Sequence, residues 1–537
     1  MMKRLQRFPS NRVSEPRLTS GFFLKKNPPR SQAGNGYNNW GTALAQAWGF
    51  ASILLLPDYI DLTSQAGDAR MRVPSPLTKV ALAHLTDMLI VGLVFALLTA
   101  ALRRLKSWPA IRWVLMALLP PMLFVRNLNV MPADIPNAVV IALNLAWIAI
   151  VIVMVWRFKP LAIRVRKAGS VILTGFAVFA MVMTAQLVRA ALWRPGPQAF
   201  AHPIAAAPAT RPRLVWVLFD ELGYKQTFEA RDPSLSLPNF DRLRSESTIY
   251  TDMTPIAYRT TRAVPTLMLG RAVTDVEYTN SNKYLVQIED KHWEEFNAED
   301  SLIGLAKQHG VTTSIIGWYI AYCGIFEKVA TECYWSNDDA QDRGPTMLDA
   351  SFEENVWFPL RMMVEEFVWP SRAWADDAAW NERGHIASVQ DVSRHALATL
   401  ATTQADIIYL HIPAPHPPGF WDRRTHSFAI GGSYADGLDY SNRLLGQMLD
   451  ELEKQPRWAS TTLIVHGDHS WRTAMWRPLP GWSAEDERIS HGGEWDPRPV
   501  LMIHEPGQQS AKTVTAPTSL MHVHDFVAKW IRAMGKQ

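Results

Sequence analysis

The chain has 537 residues, of which 54 are Lys or Arg and 50 are Asp or Glu, giving a formal net charge of +4. This length favours more than one structural unit, and 48% hydrophobic against 19% charged residues exclude a chain that is disordered throughout. The nearly balanced charge argues against a nucleic-acid partner, and two cysteines are too few for a disulfide-dense scaffold or a cysteine-built metal site.

Residues 1–38 form a polar segment in which Lys and Arg greatly outnumber the single acid, Glu15. The first apolar stretch begins too late for a cleavable signal peptide. We therefore expect a disordered cytoplasmic tail.

Long apolar stretches follow the tail. Four are clear, at Val80–Leu102, Ile111–Val125, Ala138–Trp156 and Ser170–Trp193, and a weaker one, Trp40–Leu56, is interrupted by Gln46. If all five cross a bilayer, the Lys and Arg clusters at 103–112 and 157–167 share one side with the tail, as the positive-inside rule requires. The sequence thus predicts a transmembrane domain of five spans over residues 39–194. It predicts a multi-pass protein of the cytoplasmic (inner) membrane with its C-terminal half on the periplasmic side.

The second span contains two polar residues, His84 and Asp87. An acid inside a membrane is a functional candidate. A simple hydrogen bond between helices explains it equally well, so both interpretations stay open.

Residues 195–212 are rich in Pro and Ala and predict a semi-rigid linker. From residue 213 to 537, short apolar runs alternate with helical patterns. The run Arg213–Phe219 is typical of a buried parallel strand, and similar runs lie at 312–316, 407–411, 462–465 and 500–504. Helical patterns occur at 237–245, 301–309 and 440–452. This alternation indicates an α/β domain with a mostly parallel sheet covered by helices.

Acidic residues stand where two of these strands end. Asp220 and Glu221 follow the first run, and Asp468 and His469 follow the run at 462–465. If the two strands are neighbours, these side chains converge on one cation, because functional groups collect at the carboxyl ends of such strands. Carboxylates with an imidazole suit zinc first, then manganese, with magnesium or calcium as further candidates. Helix caps or surface turns are the alternative explanation.

A candidate nucleophile lies in the segment YRTTRAVPTLMLGR, where Thr260 and Thr261 precede a helix-like stretch. A threonine hydroxyl needs a metal or a base to become a nucleophile. By spacing alone, a helix cap is the better explanation for either threonine.

The motifs VLFDELG, LPNFDRL, TTRAVPTLMLGR, HIPAPHPP and LIVHGDHSWR, in this order, resemble the alkaline phosphatase/sulfatase superfamily from about Arg213 to the C-terminus. A membrane anchor before an outer domain further resembles phosphoethanolamine transferases and lipoteichoic acid synthases. The resemblance implies a sulfatase-like fold and a divalent metal.

The resemblance also implies roles for single residues. Thr260 matches the position where sulfatases carry the cysteine or serine that becomes formylglycine, with Thr261 as the alternate nucleophile. Threonine cannot become formylglycine, which makes sulfatase activity proper unexpected, whereas the membrane phosphotransferases use threonine. The implied metal ligands are Asp220, Glu221, Thr260, Asp468 and His469. His416 is implied to hold a phosphoryl oxygen or to protonate the leaving group, and His491 to contact substrate or a second metal.

The two cysteines, Cys323 and Cys333, lie close together in the outer domain. In an oxidising compartment such a pair is most simply a disulfide, with two reduced buried thiols as the alternative.

Together these features predict a metal-dependent phosphotransferase, integral to the membrane, that moves a phospho-headgroup to a membrane lipid or envelope glycan through a phosphothreonine intermediate. A phosphodiesterase or other ester hydrolase of the same fold is the first alternative. A non-catalytic membrane scaffold is the second, although the retention of every candidate ligand argues against it.

Overall fold

The computed structural model describes residues 40–63, 76–127, 137–278, 283–289, 292–336, 351–368, 370–479 and 481–535. The predicted tail at residues 1–38 lies outside these ranges.

The N-terminal part is helical. Its helices are α1 (Trp40–Leu54), α2 (Leu56–Thr63), α3 (Thr78–Arg103), α4 (Trp108–Arg126), α5 (Asn137–Arg157) and α6 (Lys159–Leu192). The four helices α3 to α6 are long and apolar enough to cross a membrane, α5 being counted from Ala138. Helix α1 has 15 residues and extends only roughly 22 Å, less than the ~30 Å of a bilayer core. Length and composition therefore give four candidate spans, and not the five predicted.

Helices α1 and α2 run along α6 in the same direction. The side-chain amide of Gln46 donates to the Ser170 hydroxyl at 2.7 Å, and the Tyr59 hydroxyl donates to the side chain of Gln186. Between these contacts, a Cβ placed on Gly49 would lie 2.3 Å from the carbonyl oxygen of Leu173. The helices can approach this closely only because residue 49 has no side chain.

His84 and Asp87 on α3 are both buried. The Nδ1 atom of His84 lies 3.1 Å from the carbonyl oxygen of Val80, one turn earlier on the same helix. Within the described part of the chain, neither carboxylate oxygen of Asp87 has a hydrogen-bond partner. The interhelical hydrogen bond considered for Asp87 is thus not formed there.

The C-terminal part is an α/β domain. Its strands are β1 (Ala199–Ala201), β2 (Arg213–Phe219), β3 (Thr248–Tyr250), β4 (Met253–Thr254), β5 (Val273–Tyr278), β6 (Tyr284–Ile288), β7 (His292–Glu295), β8 (Thr313–Trp318), β9 (Glu332–Ser336), β10 (Ile407–Ile412), β11 (Trp421–Asp422), β12 (Ser427–Phe428), β13 (Thr461–Gly467), β14 (Leu501–His504), β15 (Lys512–Val514) and β16 (Thr518–Ser519). Its helices are α7 (Pro238–Ser245), α8 (Thr260–Leu269), α9 (Leu302–Gln308), α10 (Tyr322–Phe326), α11 (Phe352–Val368), α12 (Pro370–Thr402), α13 (Tyr434–Glu453), α14 (Thr473–Trp476), α15 (Ala484–Ile489) and α16 (Met521–Met534).

Nine strands form the main sheet in the order β1-β9-β8-β10-β2-β13-β14-β3-β15. The five consecutive strands from β9 to β13 are parallel, whereas β1 and β14 join antiparallel. Strands β5 to β7 form a separate three-stranded sheet. The domain is thus an α/β domain, as predicted, and its main sheet is mixed: most neighbouring strands are parallel, with antiparallel pairings at β1 and on both sides of β14.

The central strand β2 is buried along its whole length. Because successive side chains alternate between faces, Leu214 and Trp216 pack into one hydrophobic cluster, and Val215 and Val217 pack into the other. This two-sided burial explains why the strand is apolar without interruption.

Part of the predicted linker belongs to the domain. Residues 199–201 form β1, which pairs with β9 at the edge of the main sheet, and the Trp335 amide donates to the carbonyl of Gln198. These backbone bonds fix residues 199–201 in an extended conformation. Next to it, Cys323 on α10 and Cys333 on β9 are joined by a disulfide.

The two halves of the chain touch through α11. Its residues Val356 and Leu360 are buried in the same apolar cluster as residues of α1, α3 and α6. A helix from the C-terminal half therefore packs directly on the membrane bundle.

Candidate metal and nucleophile site

Two acids meet at the carboxyl edge of the main sheet. Strands β2 and β13 are parallel neighbours, and Phe219 is paired with Gly467 at their ends. The next residues, Asp220 and Asp468, are therefore side by side, and both are fully buried. The metal site predicted from the sequence required β2 and β13 to be neighbours.

His469 completes a group of three possible metal ligands. One ligand atom from each of Asp220, Asp468 and His469 lies within 4.8 Å of the others. The Nδ1 atom of His469 lies 3.0 Å from the carbonyl oxygen of Ser470, and a carbonyl can only accept, so Nδ1 carries the proton. The Nε2 lone pair then faces the Oδ2 atom of Asp468, 3.2 Å away.

These residues fit a divalent cation. Nε2 of His469 and Oδ2 of Asp468 are close enough to share one cation, and Oδ2 is buried with no hydrogen-bond partner among the described residues. Two carboxylates with one neutral imidazole are a donor set that zinc and manganese accept. Asp220, Asp468 and His469 would hold such an ion.

Burial and crowding shift the pKa values of both acids. Burial, with the charge of Asp468 next, raises the pKa of Asp220 well above its usual value. Burial also acts to raise the pKa of Asp468, but the neighbouring His469 and His411, with hydrogen bonds from Thr260 and the Glu221 amide, together outweigh it and hold that pKa below its usual value. Without a cation the pair therefore favours sharing one proton, and a bound cation would replace that proton.

The hydroxyl of Thr260 reaches this group. Its Oγ1 atom lies 3.1 Å from Oδ2 of Asp220 and 3.3 Å from Nε2 of His469. Thr260 is the first residue of α8 and is buried, and the extended residue Arg259 takes the N-cap position. Neither threonine is the helix cap, and Thr261 is only half-buried, with no hydrogen bond to the three ligands in the described structure.

The predicted ligand Glu221 is not part of the group. It has a positive φ of 62°, and its carboxylate accepts hydrogen bonds from Nε of Arg472 at 2.6 Å and from Nε1 of Trp476 at 3.0 Å. Its carboxylate thus lies against Arg472 and Trp476, outside the group of converging ligand atoms that Asp220, Asp468 and His469 form in the described structure.

His416 lies beside this ion pair and not beside the threonine. Its Nε2 atom is 3.8 Å from Oε1 of Glu221 and 3.3 Å from Nη2 of Arg472. Burial, and then the charge of Arg472, lower the pKa of His416 well below its usual value, so its imidazole is neutral. His491 is exposed, and the described contacts do not join it to the group.

The sequence interpretation missed two residues of the site. His411 on β10 has its Nε2 atom 3.6 Å from Oδ2 of Asp220, and Arg472 binds Glu221. A signal exists for His411, because it lies near the carboxyl end of the apolar strand β10. Arg472 stands in the quoted motif LIVHGDHSWR, where an arginine after metal ligands is suited to hold an anion.

A cavity of about 930 Å³ opens next to Thr260. Arg259, Arg262 and Arg472 line it, together with Tyr258 and Trp495, whose ring centroids are 5.0 Å apart. Asp275 also lines the cavity and pairs with Arg262 at 3.2 Å. Arg259 and Arg472, with the aromatic pair, are therefore the groups suited to an anionic substrate that has a larger body attached.

The sequence model of the sulfatase family matches residues 212–536. The chain belongs to the sulfatase family. Like the sulfatases and phosphonate hydrolases of the alkaline phosphatase superfamily, it is an enzyme of that superfamily, whose members use divalent metals. No curated protein matches the chain.

Among solved structures, this sulfatase-family chain is similar to the PsFucS1 sulfatase from Pseudoalteromonas sp., with 13% identity over 60% of this chain and 68% of that one, at a TM-score of 0.41. It is also similar to the phosphonate monoester hydrolase of Agrobacterium radiobacter, with 13% identity over 60% of this chain and 74% of that one, at a TM-score of 0.36. Because both TM-scores are low, the membership in the sulfatase family rests on the family model.

Proposed function

We propose that this sulfatase-family enzyme is a membrane-anchored phosphotransferase that depends on a divalent metal, zinc or manganese first. It moves a headgroup of the phosphoethanolamine or phosphoglycerol type to a membrane lipid or envelope glycan. The observation that carries the proposal is the hydroxyl of Thr260, which lies 3.1 Å from Asp220 and 3.3 Å from His469. A threonine cannot form formylglycine, so an alkoxide attack on phosphorus suits this site better than sulfate ester hydrolysis.

The proposed reaction has two displacements at phosphorus. In the first, Thr260 gives its proton to the Asp220 carboxylate, the bond from Oγ1 to phosphorus forms, and the bond from phosphorus to the donor alcohol breaks as that alcohol takes up a proton from water. In the second, an acceptor hydroxyl loses its proton to water as its oxygen bonds to phosphorus, and the bond from phosphorus to Oγ1 breaks as Oγ1 takes back the proton held by Asp220. A cation held by Asp220, Asp468 and His469 supplies positive charge that favours the alkoxide and the charge on the phosphoryl oxygens.

Arginine side chains are proposed to hold the donor. Arg472, fixed by its ion pair with Glu221, and Arg259, next to the nucleophile, line the cavity from two sides. The neutral imidazole of His416 is suited to donate a hydrogen bond to a phosphoryl oxygen. Its low pKa favours that role over protonation of the leaving group.

The anchor is proposed to cross the membrane five times. Helices α1 and α2 are separated only by Leu55, whose amide donates to Ala51 and whose carbonyl accepts from Tyr59. Together they extend roughly 36 Å at 1.5 Å per residue, which is enough for one crossing. With tail 1–38 in the cytoplasm and transmembrane domain 39–194, an odd number of spans leaves the catalytic domain 213–537 on the periplasmic side of the inner membrane. Segment 195–212 then joins the two.

Mass spectrometry of the intact protein tests the proposal. After incubation with vesicles of phosphatidylethanolamine and phosphatidylglycerol and with Zn²⁺ or Mn²⁺, we expect a phospho-headgroup adduct on the peptide that contains Thr260. Thr260→Ala should abolish the adduct and lower turnover of bis(4-nitrophenyl) phosphate by roughly 10³-fold or more. The matched control is Thr261→Ala.

The outcome separates the alternatives. An adduct that moves to Thr261 would transfer the nucleophile by one residue. Turnover with water as the sole acceptor, without transfer to added lipid or glycan, would favour the phosphodiesterase. Full activity of Thr260→Ala would end the phosphothreonine mechanism.

A further inference from the structure

A second cavity lies inside the membrane bundle. It has a volume of about 850 Å³ and opens between α1, α3, α4, α5 and α6, at the end of the bundle where α3 ends and α4 begins. That volume is within the range of small-molecule sites, roughly 300–1,000 Å³. The catalytic residues do not line it.

All the charged residues that line this cavity are basic. Arg103, Arg112, Arg166 and Lys167 line it, and its lining contains no Asp or Glu. In the described part of the chain none of these four cations forms an ion pair with an acid, and Nε of Arg112 is buried without an acceptor. Two of the guanidinium groups lie over tryptophans instead, Arg166 over Trp113 at 4.9 Å and Arg112 over Trp108 at 5.8 Å.

Apart from the polar residues Gln46, Thr99 and Ser170, most of the remaining lining is apolar. Leu119 and Leu123 on α4, with Ile172 and Phe176 on α6, continue the cavity toward the middle of the bundle. A ligand that fits both parts has an anionic head and a hydrocarbon body. Free inorganic anions match the cations alone, and an uncharged lipid matches the apolar part alone.

We propose that this cavity binds an anionic glycerophospholipid from the leaflet at that end of the bundle. Its phosphate lies among Arg103, Arg112 and Arg166, and one acyl chain lies along α4 and α6. Basic pockets between transmembrane helices recognise such headgroups, and each cation near the surface contributes about 1 kcal/mol.

This lipid is separate from the donor proposed for the catalytic site. Helix α6 has 34 residues, and its lining residues lie between 165 and 176, in its first half. Roughly 25 Å of helix separates Phe176 from Leu192. A phosphate held among these arginines therefore lies far from the domain that contains Thr260, and the lipid acts as a bound structural component.

Thermal unfolding of the full-length protein in uncharged detergent tests this proposal. The three probes are phosphatidylglycerol, phosphatidylcholine and inorganic phosphate. We expect phosphatidylglycerol to raise the melting temperature, and phosphatidylcholine and phosphate at the same concentration to leave it unchanged. Native mass spectrometry should detect one retained phosphatidylglycerol.

Two variants locate the site. Arg112→Gln with Arg166→Gln should weaken phosphatidylglycerol binding roughly 30-fold, as two contacts of about 1 kcal/mol each predict. The control, Arg157→Gln with Lys159→Gln, removes two exposed cations at the same end of the bundle and should bind as the wild type does. If the double variant does not fold, the single variant Arg103→Gln replaces it in the binding measurement.

Three results would overturn the proposal. Equal protection by inorganic phosphate would assign the cavity to a soluble anion. Equal protection by phosphatidylcholine would assign it to any lipid chain. Equal weakening in both double variants would mean only general attraction to a charged surface. None of these results depends on activity at Thr260.

Discussion

The two buried carboxylates Asp220 and Asp468 dominate the chemistry of the site. Arg472 is bound to Glu221, and in the described structure the ion-pair partners of Asp220 and Asp468 are histidines and not arginine or lysine. Two acids placed together without a cation destabilise the folded protein unless one of them takes up a proton. The same repulsion that costs folding free energy makes the pair a strong ligand for a divalent metal.

Removal of the metal is therefore expected to abolish activity reversibly. EDTA should stop turnover of bis(4-nitrophenyl) phosphate, and Zn²⁺ or Mn²⁺ should restore it. Asp468→Asn should lower metal affinity by at least 10-fold, on the order of what the loss of a ligating side chain or its support costs. Glu221→Gln is the matched control, and we expect its metal content, measured by mass spectrometry of bound metals, to equal that of the wild type. Equal metal loss in the two variants would return Glu221 to the ligand set.

His385 gives the protein a pH dependence that is independent of the metal. Burial lowers its pKa from 6.5 to about 4, and its Nε2 atom donates to the carbonyl of His416 at 2.8 Å. Because the folded pKa is lowered, this stability is present above pH 6.5 and is lost as the pH falls toward 4, by about 3 kcal/mol in total.

The variant His385→Gln keeps a donor but does not titrate. Its melting temperature, followed by tryptophan fluorescence, should be below that of the wild type at pH 7.5 and approach it at pH 5. His202→Gln, at an exposed position, is the control and should follow the wild type. Parallel curves for wild type and His385→Gln would contradict this assignment.

Side-chain positions were predictable only where the strand rule fixes them. Strands β2 and β13 are parallel neighbours that end in register, so the residues that follow them, Asp220 and Asp468, lie side by side. This proximity depends only on where the two strands end, which the sequence pattern indicates. The direction of Glu221 depends on one backbone angle, 62°, that its sequence does not reveal. The role of Arg472 depends in turn on where Glu221 points.

Among the elements, buried strands were easier to predict than helix ends. The run Arg213–Phe219 coincides with β2, because burial on both faces leaves an uninterrupted apolar pattern. Helix α13 begins at Tyr434, six residues before the predicted start, because Ser433 and Asp436 form a capping box. The antiparallel direction of β14 depends on how the chain connects β13 to β14. The pattern of apolar residues within a strand does not reveal its direction.

The contact of α1 with α6 makes a prediction about glycine. In a helix, Gly→Ala ordinarily stabilises by up to about 1 kcal/mol. At Gly49 the new methyl group would lie 2.3 Å from the carbonyl oxygen of Leu173, whereas at Gly175 on α6 nothing lies within 4 Å. We expect Gly49→Ala to lower the melting temperature and Gly175→Ala to maintain or raise it. The same change in both variants would mean that α1 does not pack closely here.

For the whole molecule, the number of spans decides where the enzyme works. Five crossings place the two chain ends on opposite sides of the membrane, and four place them on the same side. The contacts of Gln46 and Tyr59 with the two halves of α6 favour five, although α1 alone is too short.

Protease accessibility in spheroplasts tests this arrangement. We expect an N-terminal epitope tag to be protected and a C-terminal tag to be cleaved, with both cleaved after the membrane is permeabilised. Cleavage of both tags, or protection of both, in intact spheroplasts would require an even number of spans.

Helix α11 has a consequence for how the enzyme meets its substrates. Because Val356 and Leu360 are buried among the bundle helices, tilting the outer domain away would return both to water, at about 1.5–3 kcal/mol each. The packing of α11 on the bundle thus restricts how far the outer domain can move relative to the membrane helices. With the proposed orientation, we therefore expect Thr260 to stay at a nearly constant height above the lipid surface, which would select substrates by how far their reactive group extends from the bilayer.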